Sequence, residues 1–283
     1  MGKIRIVADS TCDLSSELKE KYNIQTIPLC IVMEDETFYD GEDITPDQIY
    51  LWSDANKQTP KTAAASYEKA MKVLGPMMEQ GDEIIFLGIS EQMSTTCNMI
   101  RLVGSDHDYD KLHVIDSMNL STGIGLQVLY AASLAEEGLS AQEIVELVEN
   151  RRSKVRSSFV VETLTFLARG GRCKPVTALL GNTLKLKPQI VVERGAMGVL
   201  RKYRGKQSSV IMKYAKDLEE ALLHSDPKCV FITHSGCEEE LLNEIRSYLE
   251  SLNYFDNIYT TRAGGVISSH CGPGTLGILF YAN

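Results

Sequence analysis

Lys3-Ile4-Arg5-Ile6-Val7-Ala8-Asp9-Ser10-Thr11 is the stretch whose reading decides the fold. An Ile/Val-rich run reads as a strand and stops at an acid followed by two hydroxyls. The same pattern returns at 83–89, which closes on Gly88-Ile89-Ser90, and at 112–115, which closes on Asp116-Ser117; 24–32 reads as a further strand. Helices with readable starts lie between them. Thr45-Pro46 sets a cap before a proline at the first helical position, 66–79 and 123–137 run helical to a glycine, and Ser140 with Glu143 forms a capping box. Short strands alternating with helices predict a doubly wound, mostly parallel α/β sheet.

The second half has another texture. Residues 190–192 and 199–203 flank a Gly-containing turn and predict an antiparallel hairpin. Amphipathic helices are expected over 208–223 and 238–252, with strands at 229–233, 258–262 and 276–280. We expect an α/β domain over 1–160 and an α+β domain with a mixed or antiparallel sheet over 161–283. At 283 residues, 43% apolar and 24% charged, the chain is long enough for two such cores, and these values exclude a disordered or fibrous class. No apolar run reaches the 18 or so residues that span a bilayer, and no signal segment precedes the first strand, so a cytoplasmic protein is expected. Seven scattered cysteines without a C-x-x-C pair fit reduced thiols better than disulfides or a metal site.

The formal charge of −9 argues against coating nucleic acid, but it is unevenly spread. Residues 151–206 hold 14 Lys/Arg against only Glu162 and Glu193, a net of +12, which leaves −21 for the rest. Within that stretch, Arg169-Gly170-Gly171-Arg172 and Lys202-Tyr203-Arg204-Gly205-Lys206 suit contacts to a carboxylate or phosphate. In a parallel sheet, hydroxyls at the carboxyl ends of strands share one edge with helix N-termini, where anions bind. Helix capping is the plain alternative use of the same residues.

Sharper motifs fail on context. Gly272-Pro273-Gly274-Thr275-Leu276-Gly277 matches G-x-G-x-x-G, but too little chain follows for the required helix and second strand. Gly88-Ile89-Ser90-Glu91-Gln92 approaches a nucleophile elbow but has Gln92 where the turn needs glycine. A serine-dependent acyl hydrolase or transferase using Ser90 or Ser94 with His270 stays open, as does a regulatory module that binds anions or nucleic acid. His270 precedes Gly272-Pro273-Gly274 and is read as part of a glycine-rich loop that admits a close ligand.

Taken in order, these motifs resemble the DegV family of bacterial fatty-acid-binding proteins. The resemblance rests on Val7-Ala8-Asp9-Ser10-Thr11-Cys12-Asp13-Leu14, then Ile115-Asp116-Ser117 with Gly123 and Gly125, and Leu167-Ala168-Arg169-Gly170-Gly171-Arg172. It continues through Leu184-Lys185-Leu186-Lys187-Pro188, Lys202–Lys206 and the segment from His270 to Gly277. It implies two domains enclosing one long-chain fatty acid, no cofactor or metal, and no catalytic residue. It also implies a partner fatty acid kinase that phosphorylates the bound carboxylate to an acyl phosphate for phospholipid synthesis. The family's Thr-Ser-x-Pro-Ser segment appears as Thr62-Ala63-Ala64-Ala65-Ser66, and its Ser-Ser-x-Leu-Ser-Gly-Thr segment as Ser90-Glu91-Gln92-Met93-Ser94-Thr95-Thr96. By resemblance Thr62, Ser94 and His270 are carboxylate neighbours, Ser90 and Thr95 further head-group residues, and Arg172 and Arg204 face the kinase or phosphate. Glu91, where the family has serine, is expected to point away from a bound carboxylate.

Overall fold

In the computed structural model, which describes residues 2–173 and 186–283, the first strands form a four-stranded parallel sheet in the order β2-β1-β6-β7. It comprises β1 (Ile4–Asp9), β2 (Gln25–Ile27), β6 (Glu83–Gly88) and β7 (Leu112–Asp116). Ile84, Ile85, Phe86 and Leu87 of β6 have no exposed surface, the unbroken apolar run of a parallel strand covered on both faces. Helices α1 (Ser16–Lys21), α3 (Tyr67–Glu79), α4 (Thr96–Asp106), α5 (Thr122–Glu136) and α6 (Ala141–Arg151) accompany it.

The expected strand over 24–32 is two strands. Pro28 has no N–H for a ladder, and there the chain leaves the parallel sheet. It then builds a separate antiparallel sheet ordered β4-β3-β5 from β3 (Cys30–Met33), β4 (Glu36–Tyr39) and β5 (Lys61–Ala63), with α2 (Pro46–Asn56) between the last two. Thr45 caps α2 ahead of Pro46 as read, with Gln48 completing a capping box there, and the Ser140 capping box forms as read.

A six-stranded mixed sheet dominates the second half, in the order β10-β9-β8-β13-β11-β12. Its strands are β8 (Val155–Val160), β9 (Leu186–Glu193), β10 (Ala196–Arg204), β11 (Ser225–Ser235), β12 (Ile258–Arg262) and β13 (Thr275–Ala282). β8 pairs with β13 and β9, so the change of sheet comes before Val155, ahead of the expected 160/161 division. The predicted hairpin is β9–β10, with Arg194 and Gly195 both at positive φ in its two-residue turn. The helices are α7 (Thr165–Gly170), α8 (Gln207–Asp217), α9 (Glu219–Leu223), α10 (Glu239–Ser251) and α11 (Gly265–Cys271). The single helix expected over 208–223 is therefore α8 and α9, with Leu218 between them.

α5 packs against β1 and β6 of one sheet and β8 and β13 of the other. A helix between two sheets buries most of its circumference, and Ile124, Leu126, Val128, Ala131 and Leu134 are all buried. One apolar core thus runs through both halves, from Phe86 and Ile115 to Phe159, Phe231 and Leu279. A second core, around Tyr214, Ile232, Ile245 and Phe280, lies on the far side of the six-stranded sheet under α8 and α10.

Candidate functional site

Beside α11 lies a cavity of about 460 Å³ in which Thr62, Ser94, Thr95, Arg172 and His270 meet. Its volume falls in the range of small-molecule sites, roughly 300–1,000 Å³. Four segments far apart in sequence supply these residues: β5 carries Thr62, the loop after β6 carries Ser94 and Thr95, α11 carries His270, and Arg172 follows α7. Met197 comes from β10. Leu29, Met93, Leu120, Val266 and Ile267 make much of the remaining wall apolar, and Glu91 and Gln92 also border it. Leu120, Ile267 and Cys271 also border a narrow pocket of about 20 Å³ that runs on towards Phe159 and Leu279, between the two large sheets.

His270 is not in the glycine loop. It is on the last turn of α11, and Gly272, at positive φ, ends that helix. His270 Nε2 and Thr62 Oγ1 share a hydrogen bond of 2.8 Å. The ring edge opens to the cavity, whereas Nδ1 is sealed and has no hydrogen-bond partner. It lies so close to Gly170 that a Cβ there would overlap the ring. Burial pushes the imidazole down to about 4, and the Arg172 guanidinium adds to the fall, so His270 is neutral at physiological pH.

The sign of the pH effect follows. An unfolded histidine takes a proton near 6.5 and the folded His270 only near 4, so stability is lost as pH falls through that window. In urea melts, the stability difference between wild type and His270→Asn should therefore shrink by roughly 2 kcal/mol from pH 7 to pH 4.5. A pH-independent difference would show that the ring is not held neutral.

Ser94 Oγ bonds Thr96 Oγ1 at 2.9 Å and accepts from the Thr96 N–H at 3.3 Å, which holds it at the start of α4. Thr95 has no capping bond from its side chain and borders the cavity. Glu91 turns its carboxylate to Arg101, at 2.5 Å, on the rim. Ser66 is spent on capping α3, where it accepts from the Lys69 N–H at 3.2 Å.

Other expected residues lie elsewhere. Ser90 is fully buried and donates to the Gly195 carbonyl at 2.7 Å, tying the hairpin turn to the loop; it does not border the cavity. Arg204 lies exposed at the end of β10. Leu184 and Lys185 of the Leu184–Pro188 motif lie outside the described residues. The hydroxyls at the other two strand ends also miss the cavity. Ser10 donates to Asp40 at 2.8 Å, Thr11 bonds Asp9, and Ser117 donates to the Asn119 carbonyl.

The basic stretch disperses as well. Arg151 pairs with Asp226 and stacks on Tyr130 and Tyr281, 4.5 and 4.1 Å from the ring centres. Arg152, Arg156 and Arg194 rim a larger groove of about 750 Å³ on the outer side of the six-stranded sheet. Ser153, Ser157, Ser158 and His224 also line that groove, but Ser158 is bonded to Tyr214 and His224 to the Glu220 carbonyl. Thr62 and His270 instead bond each other at the smaller cavity, which is therefore the stronger candidate. Sequence reasoning missed its apolar wall, because which Leu, Met or Ile faces the space depends on how the two sheets pack.

Comparison with known proteins bears on this geometry. The profile of the DegV family, described as uncharacterised proteins, matches residues 3–283. DegV domain-containing proteins of Clostridium perfringens and Caldanaerobacter subterraneus are 32% and 31% identical, over 98% and 99% of both chains. A Thermus thermophilus DegV family protein, whose structure is described for fatty acid binding, superposes with a TM-score of 0.86 at 29% identity, covering 99% of this chain and 100% of that one. A stearic acid-binding protein of Eubacterium ventriosum gives 0.84 at 28% identity, covering 100% and 98%. With its whole length matched by the family's profile and by relatives above 30% identity, the chain belongs to the DegV family.

Proposed function

We propose that this protein binds one long-chain fatty acid, with the carboxylate at Thr62, Ser94 and His270 and the tail along the apolar wall between the sheets. The observation that carries this reading is the meeting of those three side chains in a cavity whose wall includes the apolar Leu29, Met93, Leu120, Val266 and Ile267. The fatty acid binding described for the Thermus thermophilus and Eubacterium ventriosum proteins supports it. A neutral imidazole donating from Nε2 to Thr62 Oγ1 frees the Thr62 proton for a carboxylate oxygen, and Ser94 offers a second hydroxyl. Arg172 supplies the positive charge at the same cavity.

Burying a chain of about 16 carbons at about 0.8 kcal/mol per CH₂ gives roughly 12 kcal/mol before association costs of roughly 4–15 kcal/mol. Head-group bonds add about 1.5–3 kcal/mol each. The tail therefore dominates affinity, and the head group sets orientation. That division suits a cytoplasmic carrier that presents the carboxylate to a fatty acid kinase, with Arg172 and Arg204 facing kinase or phosphate, and so feeds phospholipid synthesis. Ser90 is engaged with Gly195, and His270 bonds a threonine instead of a serine, which favours a carrier over a serine hydrolase.

Native mass spectrometry of the purified protein is expected to show an added mass equal to one fatty acid. The Thr62→Ala/Ser94→Ala double variant should bind more weakly by roughly a hundredfold or more, the worth of two head-group bonds, yet even at saturating fatty acid yield no acyl phosphate with a fatty acid kinase and ATP. Equal losses in the two assays would count against the division of labour, and a ligand-free protein that binds no added fatty acid would end the proposal.

A further inference from the structure

Three buried carboxylates lie where the two halves meet, and head-group binding uses none of them. Asp9 closes β1, Asp13 follows the next turn, and Asp40 follows β4; they are 0%, 6% and 4% exposed. No Lys or Arg forms an ion pair with any of them among the described residues, so backbone N–H groups and hydroxyls compensate for their burial. Asp13 accepts from the Gly264 N–H at 2.8 Å and from Ser121 Oγ at 2.5 Å. Asp40 accepts from the Gly265 N–H at 2.6 Å and from Ser10 Oγ at 2.8 Å. Asp9 accepts from the Thr11 N–H at 2.9 Å and the Ile89 N–H at 2.7 Å.

These bonds end on the segments that carry the head-group residues. Gly264 and Gly265 begin α11, whose last turn holds His270, and Ile89 begins the loop that holds Ser94. The first N–H groups of a helix have no partner within it, and acceptors placed there fix its position. Side chains at the two glycines would block this approach. A Cβ on Gly264 would stand 3.0 Å from Asp40 Oδ1 and 3.3 Å from Asp13 Oδ1, and one on Gly265 would stand 2.7 Å from Ile31 Cδ1. Asp13 and Asp40 thus clamp the start of the helix whose other end must keep His270 at 2.8 Å from Thr62. Burial raises Asp9 to about 6 and Asp13 to about 8, and raises Asp40 as well, the expense of keeping three acids out of water.

We propose that Asp13 and Asp40 are positioning residues for His270: through the N–H groups of Gly264 and Gly265 they set the placement of α11 on which carboxylate recognition depends. The inference rests on the fatty acid reading above. The test compares palmitic acid with hexadecanol, which has the same tail and no carboxylate, each competing with a fluorescent fatty acid for the full-length protein. Asp13→Asn and Asp40→Asn should each lower affinity for the acid about tenfold and leave that for the alcohol within about twofold, because carboxylate contacts are charge-assisted and need tighter geometry. Ser10→Ala and Ser121→Ala, which remove one donor to Asp40 and Asp13 and leave both acids in place, should move the acid-to-alcohol ratio the same way by about twofold to threefold. They carry the test if an Asn variant does not fold.

Equal losses for acid and alcohol would reduce the acids to scaffold and overturn the proposal, as would an unchanged ratio in all the folded variants. A wild-type protein that binds neither compound defeats the fatty acid reading itself, and that outcome is distinguishable from a wild type that prefers the acid and variants that keep the preference.

Discussion

Gly170→Ala is expected to lower affinity for a long-chain fatty acid by about tenfold to a hundredfold, the worth of one charge-assisted hydrogen bond. Gly170 ends α7, and its Cα lies against Nδ1 of His270, with no space for a methyl group. The ring has little freedom to retreat, since it sits on α11 and bonds Thr62 at 2.8 Å. The alanine therefore displaces either the imidazole or α7, and the former breaks the Thr62 contact. Titration with a fluorescent fatty acid reads the loss, and the ring shifts of His270 in an NMR spectrum report whether the imidazole moved. Wild-type affinity with unmoved ring resonances would show that the Arg-Gly-Gly-Arg segment does not depend on this approach. The reason for glycine here is steric, and it is invisible until α7 and α11 are seen side by side.

The largest expected effect on stability is at Tyr214, in the second core. It has no exposed surface, and its hydroxyl donates to the Ser158 carbonyl at 2.6 Å, meets Ser158 Oγ at 2.9 Å and accepts from the Ile278 N–H at 3.0 Å. Truncating a buried ring costs about 3–5 kcal/mol, so Tyr214→Ala should remove about a fifth or more of a total that is about 5–15 kcal/mol in most proteins. Tyr214→Phe keeps the ring and strands the groups around the hydroxyl, for about 1–3 kcal/mol. Urea midpoints measure both. The second core lies across the six-stranded sheet from the cavity, so folded Tyr214→Phe should bind fatty acid as wild type does. A parallel loss of binding would mean that the sheet transmits strain to the cavity.

Local patterns in the chain carried much of the fold. β1, β6 and β7 are apolar runs that end in turn-forming residues, and the caps at Thr45 and Ser140 are complete within a few residues of sequence. Such signals survive reading because the interactions behind them are local. The antiparallel sheet of β3, β4 and β5 escaped because its strands are three or four residues long, too short for a period to show, and because Pro28 divides what reads as one strand.

The cavity was legible by residue type but not by arrangement. Thr62, Ser94, Thr95, Arg172 and His270 were singled out and share one space, while Ser90, equally prominent as a hydroxyl after a strand, holds the hairpin turn at Gly195. A hydroxyl's sequence neighbours do not say whether it faces a ligand or a backbone carbonyl. The same holds for charge. The sequence alone determined that residues 151–206 carry +12, and only packing decided that Arg172 reaches the cavity, Arg151 stacks between two tyrosines, and Arg152, Arg156 and Arg194 rim a separate groove. It also determined that Asp9, Asp13 and the Gly264-Gly265 pair are present, but not that they meet. Helix and strand propensity act over a few residues along the chain. The direction of each side chain depends instead on how two sheets close over α5, and that brings residues 251 positions apart within a hydrogen bond, as at Asp13 and Gly264.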